Sequence, residues 1–162
     1  MGLITSETEI TTAIPAARLF KAFVTDGDTL IPKIAPQAFK SFGILEGDGG
    51  PGTIKQIQMG EGPGVPSKSV KTRVDATDAE KFTHKYTLLE GDLLNEKIES
   101  ISYEMEFAPG PDGGTIGKIK ATYVTKGEGP PTEEERKKGK ETSLAMFKVV
   151  EGYLQQNPDA YV

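Results

Sequence analysis

Glu46-Gly47-Asp48-Gly49-Gly50-Pro51-Gly52 lies between Phe39–Leu45 and Thr53–Met59, two segments that both read as strands, and what this run is taken to be decides the fold. Glycine reaches positive φ without a Cβ clash, so a cluster this dense marks a tight, shaped turn. The letters Gly47-x-Gly49-x-x-Gly52 also fit the dinucleotide-binding fingerprint. That fingerprint works only where a strand feeds a helix whose N-terminal amides hold a pyrophosphate. Thr53-Ile54-Lys55-Gln56-Ile57-Gln58-Met59 alternates with period two instead, the pattern of a strand. The run therefore reads as a rigid connection between antiparallel strands, with an anion nest as a further use of its amides.

Downstream, Ser67–Asp75, Lys81–Leu89, Glu96–Phe107 and Thr115–Thr125 read as four more strands. Turn chemistry separates them: Gly60-Glu61-Gly62-Pro63-Gly64, Asp75-Ala76-Thr77-Asp78, Glu90-Gly91-Asp92 and Gly110-Pro111-Asp112-Gly113-Gly114,. Short connections imply antiparallel neighbours. Upstream, Ile4, Ser6, Thr8 and Ile10 alternate with Leu3, Thr5, Glu7 and Glu9 as a first strand, which outweighs the short match of Met1-Gly2-Leu3-Ile4-Thr5-Ser6 to a myristoylation consensus. Ile14–Phe23 opens with Pro15 and reads as a short amphipathic helix, and Thr29–Lys33 as a second, limited by Pro32 and Pro36,. A seven-stranded meander curls around something. Thr132 with Glu135 forms a capping box for a long helix running to Gln156, whose stripe of Ser143, Met146, Phe147, Val150, Tyr153 and Leu154 faces the concave side,. The expected class is α+β.

The chain's 162 residues suit one domain, and 27% charged against 36% hydrophobic residues describes a globular protein with no apolar run of membrane-spanning length,. A net charge of −5 offers no general attraction to nucleic acid,. Zero cysteines exclude a disulfide framework and a thiolate nucleophile, and one histidine disfavours imidazole-rich metal sites,. No cofactor and no metal are expected. The first residues lack a basic segment followed by an apolar core, so a reducing cytosolic compartment is the expectation,.

This order of elements, with Ile14–Phe23, Ile34-Ala35-Pro36-Gln37-Ala38, Glu46–Lys55 and Glu151-Gly152-Tyr153-Leu154, resembles the plant pathogenesis-related class ten proteins, the Bet v 1 family named for the major birch pollen allergen. The resemblance spans the whole chain. It implies a seven-stranded curved antiparallel sheet gripping the C-terminal helix, two short helices in a V, and a large internal cavity within a single domain, residues 1–162. It further implies a monomeric cytosolic carrier or reservoir of hydrophobic and amphipathic plant metabolites such as flavonoids, cytokinins, other hormones and fatty acids, active in defence or stress and related to pollen and food allergens. Neither nucleic acid nor a membrane is an expected partner.

Strand alternation assigns the inward residues: Lys55, Ile57 and Met59; Ser69, Lys71 and Arg73; Phe82, His84 and Tyr86; Ile101, Tyr103, Met105 and Phe107; Ile119 and Tyr123,. Phe23, Ile31 and Phe39 stand near the entrance, and Ser143 and Met146 complete the wall from the helix. So many polar groups on inner faces either pair with one another or are satisfied by water and a ligand. Gly60–Ser69 departs from the family pattern: it is two residues longer than in the birch pollen allergen and lacks the aromatics that often stand there, which implies a wider and more mobile entrance. His84 replaces a tyrosine of that pattern, in a structural or a functional role.

Three other activities belong to the same resemblance. Ribonuclease activity would draw on the glycine loop, Lys55, Glu151 and Glu99, yet His84 supplies only one of the acid and base that RNA cleavage needs. Alkaloid-condensing relatives use a lysine, a carboxylate and a tyrosine, and the sequence places no carboxylate beside Lys55 and Tyr103. The gate and latch of the abscisic acid receptors are not present in Gly60–Ser67. The expectation is a non-enzymatic carrier.

Overall fold

The structure, a computed structural model, describes residues 2–60, 69–91, 94, 97–127 and 132–162, without the side chains at 138, 139 and 142. β1 (Gly2–Thr12) leads into α1 (Ala16–Phe20), a π-helical turn (Lys21–Thr25) and α2 (Gly27–Ile34). There follow β2 (Phe39–Glu46), β3 (Ile54–Met59), β4 (Val70–Asp78), β5 (Thr83–Glu90), β6 (Ile98–Pro109), β7 (Thr115–Thr125) and α3 (Glu133–Gln156). The seven strands form one antiparallel sheet in the order β1-β7-β6-β5-β4-β3-β2. The fold is thus the α+β architecture expected, down to the capping box of Thr132 and Glu135 that starts α3,.

The glycine run joins β2 to β3, and its shape is set by Thr53, which is fully buried. Gly47, Gly49 and Gly52 have φ of 98°, 100° and 90°. A Cβ on Gly47 would stand 2.8 Å from the Thr53 Cα, so only glycine fits there. Three of the loop's amides are spent internally: Gly49 donates to Thr53 Oγ1 at 2.9 Å, Gly50 to Asp48 Oδ1 at 3.0 Å and Gly52 to the Val74 carbonyl at 2.7 Å. An anion nest would need those N–H groups turned outward, and the Asp48 carboxylate already occupies one of them.

Two local readings change. The helix at Ile14–Phe23 ends as an α-helix at Phe20, where the chain widens into a π turn closed by Asp26 N–H to Lys21 O at 2.8 Å. The extra residue in that turn brings both Phe23 and Val24 to the interior space,. Asp75–Asp78 is strand rather than turn: β4 continues to Asp78 after a register shift between Val74 and Ala76, and the reversal falls after it. There the Asp78 carboxylate caps the turn by accepting from the Glu80 and Lys81 amides at 3.0 and 3.1 Å,. The loop from Gly60 to Ser69 and the start of β6 at Glu96 fall largely or wholly outside the described residues.

The core fills the concave side. Leu19, Phe20, Ile101, Phe107, Val150 and Leu154 are each at most 2% exposed, and Phe107 meets Phe20 and Phe23 edge to face at 6.4 and 6.0 Å,. Arg18 locks α1 onto the end of α3, donating to the carbonyls of Leu154, Asn157 and Ala160, all at 2.7 Å. A guanidinium there satisfies orphan carbonyls and opposes the helix dipole. The convex side is solvated and charge-paired, with Lys85 across from Glu104, Glu104 from Lys120 and Lys120 from Glu7,. Among the described residues no helix is long and apolar enough to cross a membrane.

Candidate functional site

Between the sheet, the V of short helices and α3 lies a cavity of about 90 Å³. The π turn and α2 supply Phe23, Val24, Asp28 and Ile31. The sheet supplies Phe42, Lys55, Ile57, Thr72, Val74, His84, Tyr86 and Met105, and α3 contributes Met146. Most of this wall is apolar, and its polar groups are few and specifically placed, the pattern of a small-molecule site.

Lys55 Nζ lies 2.8 Å from Asp28 Oδ2, with the side chains 17% and 39% exposed. The pair ties α2 to β3 at the cavity mouth. His84 Nδ1 is 2.9 Å from Thr77 Oγ1, and its ring lies 5.5 Å from that of Tyr86. Burial, then the Lys55 charge, depresses the His84 pKa to about 4, against the opposing pull of Asp28 and Asp75. The imidazole is therefore neutral near pH 7, with Nε2 free of hydrogen bonds among the described residues. Burial pushes the Tyr86 phenol up to about 12 and the Tyr103 phenol well up, the latter also through Tyr86 and Tyr123. These are hydrogen-bonding phenols, not bases.

A second, much smaller space of about 10 Å³, room for a single water molecule, lies between α3 and β1, β6 and β7. Its walls carry the hydroxyls of Ser6, Thr8, Tyr103, Tyr123 and Ser143, with Lys140, Ile119 and Ala121. The two spaces share no lining residue. Between them stand Tyr86 and Tyr103, one ring on each wall, stacked with centroids 5.0 Å apart and planes at 20°.

Of the residues expected inside, Phe23, Ile31, Lys55, Ile57, His84, Tyr86, Met105 and Met146 line the larger space. Tyr103, Tyr123 and Ser143 line the smaller. Ile101 and Phe39 are buried core, while Met59 and Phe82 pack against that core. Ser69, Lys71 and Arg73 do not face inward. Ser69 is exposed ahead of β4, Lys71 pairs with Glu90 at 3.5 Å, and Arg73 donates from Nε to Asp75 Oδ1 at 2.7 Å on the outer face. Lys55 is registered against Thr72 and Ile57 against Val70, so Val70, Thr72 and Val74 point in; a one-residue phase difference exchanges the faces of a strand. The exchange keeps two cations beside counterions instead of burying them.

Asp28, Phe42, Thr72, Val74 and, in the smaller space, Ser6, Thr8 and Lys140 are wall residues that the sequence did not single out. Ser6 and Thr8 were legible from the alternation of β1. Phe42 was not, because a register shift between Phe39 and Ser41 alters the phase of β2,. The carboxylate that spacing could not place beside Lys55 is Asp28, from α2. Tyr103, however, lies on the wall of the other space. Glu151 is half-buried and Glu99 exposed, and neither lines a described space. Among the described residues no group of three or more acidic or histidine side chains is arranged to hold a metal ion.

The model of the Pathogenesis-related protein Bet v 1 family matches residues 1–157. Major strawberry allergen Fra a 1-2 from Fragaria ananassa is 53% identical over 161 residues, 99% of each chain. Among solved structures, Ara h 8.0201 superposes with a TM-score of 0.84 at 38% identity, over 96% of this chain and 99% of that one. Norcoclaurine synthase from Thalictrum flavum, solved with dopamine and hydroxybenzaldehyde, superposes with a TM-score of 0.72 at 20% identity, over 96% of this chain and 88% of that one. At that identity the likeness is one of fold.

Proposed function

The chain belongs to the Bet v 1 family of pathogenesis-related proteins, and on that premise we propose that it is a non-enzymatic carrier of small amphipathic plant metabolites, acting as a single chain in the cytosol. The observation that carries the proposal is the larger cavity. Its wall of Phe23, Ile31, Phe42, Ile57, Val74 and Met146 suits a ring system or alkyl chain, and Lys55, Asp28, His84 and Tyr86 offer scattered hydrogen bonds,. A flavonoid or cytokinin has that chemistry: a flat apolar body with a few donors and acceptors.

Against a ribonuclease reading stands the glycine loop, whose Gly49, Gly50 and Gly52 amides are bonded within the protein, and the separation of Glu99 and Glu151 from the wall. The condensing relatives' combination of lysine, carboxylate and tyrosine is approached by Lys55, Asp28 and Tyr86. Tyr86, pushed up to about 12, is ill-suited to accept a proton near pH 7,.

The test is titration of the purified protein with a flavonoid, a cytokinin and an environment-sensitive naphthalene dye. Saturable binding is expected, with mutual displacement between dye and metabolite and weakening by Phe42→Ala. Failure of all three to saturate overturns the proposal. RNA incubated with the protein is expected to stay intact; cleavage that disappears in a Lys55→Ala, His84→Ala double variant would replace the carrier by an enzyme.

A further inference from the structure

The larger cavity, at about 90 Å³, is smaller than the roughly 150 Å³ hollow that admits one benzene ring, so a metabolite of two or three rings enters only if a wall withdraws. The strand residues of that wall belong to one hydrogen-bonded sheet, and α3 is anchored by Phe147, Val150 and Leu154, each at most 3% exposed. The part outside the ladder is the π turn and α2, which present Phe23, Val24, Asp28 and Ile31. Its own backbone is loosely made. The π turn is one residue wider than an α-turn,, and Pro32 inside α2 has no N–H to give the Asp28 carbonyl,.

Among the described residues, two polar side-chain links reach this wall from outside. One is the Lys55–Asp28 ion pair. The other comes from the end of the chain, where the Tyr161 hydroxyl donates to Asp26 Oδ2 across 135 residues of sequence. Asp26 stands at the N-cap of α2, where a carboxylate ordinarily accepts from the first amides of its own helix, yet it makes no such bond. Its carboxylate serves the tail instead. Tyr161 has a φ of 60°, a strained value for a bulky residue,, and Arg18 Nε holds the tail there by donating to the Ala160 carbonyl at 2.7 Å. Burial, then the bond to Asp26, pushes the Tyr161 phenol up to about 12, so it remains a donor at neutral pH.

We propose that Tyr161 is a positioning residue for the cavity: through Asp26 it latches the π turn and α2 against the sheet, and so sets how large a ligand the interior admits. With the hydroxyl bonded, Phe23 and Val24 stay on the cavity wall. When the bond opens, the Asp26 carboxylate turns to the first amides of α2, which keeps it satisfied while the wall swings out. A large ligand binds only the open molecules, and its apparent affinity is reduced by their share. The choice of ligand by size rests on the carrier reading; the latch itself does not.

Calorimetric titration with quercetin and with phenol, on the parent chain and on Tyr161→Phe, tests the latch, since that variant loses one hydroxyl and keeps the ring. Quercetin is expected to bind the variant about tenfold more tightly, the scale of one hydrogen bond to a charged group. Phenol, which asks for less room, should gain far less. Asp26→Ala should reproduce the quercetin gain, and the double variant should add nothing to either single change, because the two groups act through one bond. Amide hydrogen exchange is expected to quicken from Phe23 to Asp26 in Tyr161→Phe and to stay unchanged at Val150 and Leu154. No gain for quercetin, equal gains for the two ligands, additive single effects, or exchange that quickens in α3 as well would each overturn the proposal. If neither ligand saturates the parent chain, the carrier reading falls, and exchange alone decides the latch: quickening confined to the π turn upholds it, and unchanged exchange removes it.

Discussion

β6 and β7 pair from Ile98 to Pro109 and from Thr115 to Thr125 with a single slip at Ile98/Ser100, whereas β2 and β3 slip twice, at Phe39/Ser41 and Ile44/Glu46, and β3 meets β4 only over Ile54–Ile57. The regular end carries Ile98, Ile101 and Phe107, each at most 1% exposed, walls the smaller space and gives only Met105 to the larger one. The irregular end leaves Ile44 and Leu45 about half exposed and walls the larger cavity. An unbroken ladder keeps every second side chain aimed at one core, which then packs solid; bulges rotate the chain, and the walls part. In this protein the room for a ligand lies where the pairing is broken.

The sharpest way to break that contrast is to truncate one phenylalanine at each end. Phe107→Ala, in the packed half against Phe20 and Phe23, is expected to cost about 3–5 kcal/mol of unfolding free energy. Phe42→Ala, at the partly exposed cavity wall, should cost about 1 kcal/mol, because less area returns to water. Urea unfolding of the two variants measures both, and equal losses would dissolve the distinction.

A second contrast concerns acid. His84, on the cavity wall, has a folded pKa of about 4 against the usual 6.5 of an imidazole,. The unfolded chain therefore takes up the proton first, so this group removes stability as pH falls through 6.5 towards 4, and adds no further dependence below 4. The loss is bounded at about 3 kcal/mol, and is smaller in proportion to the solvent that reaches the half-buried ring. Urea midpoints between pH 4 and 7 should fall less steeply in His84→Gln than in the parent chain; parallel profiles would show the ring is not desolvated.

The smallest effect separates two strand glycines. A Cβ at Gly117 in β7 would stand 2.8 Å from Ile10 Cγ1 and 3.3 Å from Phe107 Cδ1, while one at Gly43 in β2 meets nothing within 4 Å. Gly117→Ala is expected to destabilise by about 1–2 kcal/mol through overpacking, since Ile10 can yield in part. Gly43→Ala should be neutral or gain about 0.5 kcal/mol from the lost freedom of the unfolded chain. Thermal melts of the pair read the difference.

The legibility of the sequence follows the same division. In β6, Ile101, Tyr103, Met105 and Phe107 all point inward as their alternation implies, because nothing interrupts the period between them. In β4 the residues taken as inward, Ser69, Lys71 and Arg73, are on the wrong phase, and in β2 the slip after Phe39 conceals Phe42. A bulge leaves no unambiguous letter in one sequence: Asp75-Ala76-Thr77-Asp78 has the composition of a turn and is strand. Asp28 could not be matched to Lys55 because the pairing joins α2 to β3 through space.

What the amino-acid order fixed by itself is local: the glycine connection, whose φ angles only glycine adopts cheaply, the capping box of α3, the period-two strands and hence the α+β sheet-and-helix fold. Tertiary structure alone decided which phase β2 and β4 present, that Arg18 seals the end of α3, that Asp28 meets Lys55, and that Tyr86 and Tyr103 stand between two spaces of different chemistry. The reason is physical. Backbone preference acts over a few residues, whereas the facing of a bulged strand and the partner of a buried charge are settled by the free energy of whole surfaces coming together.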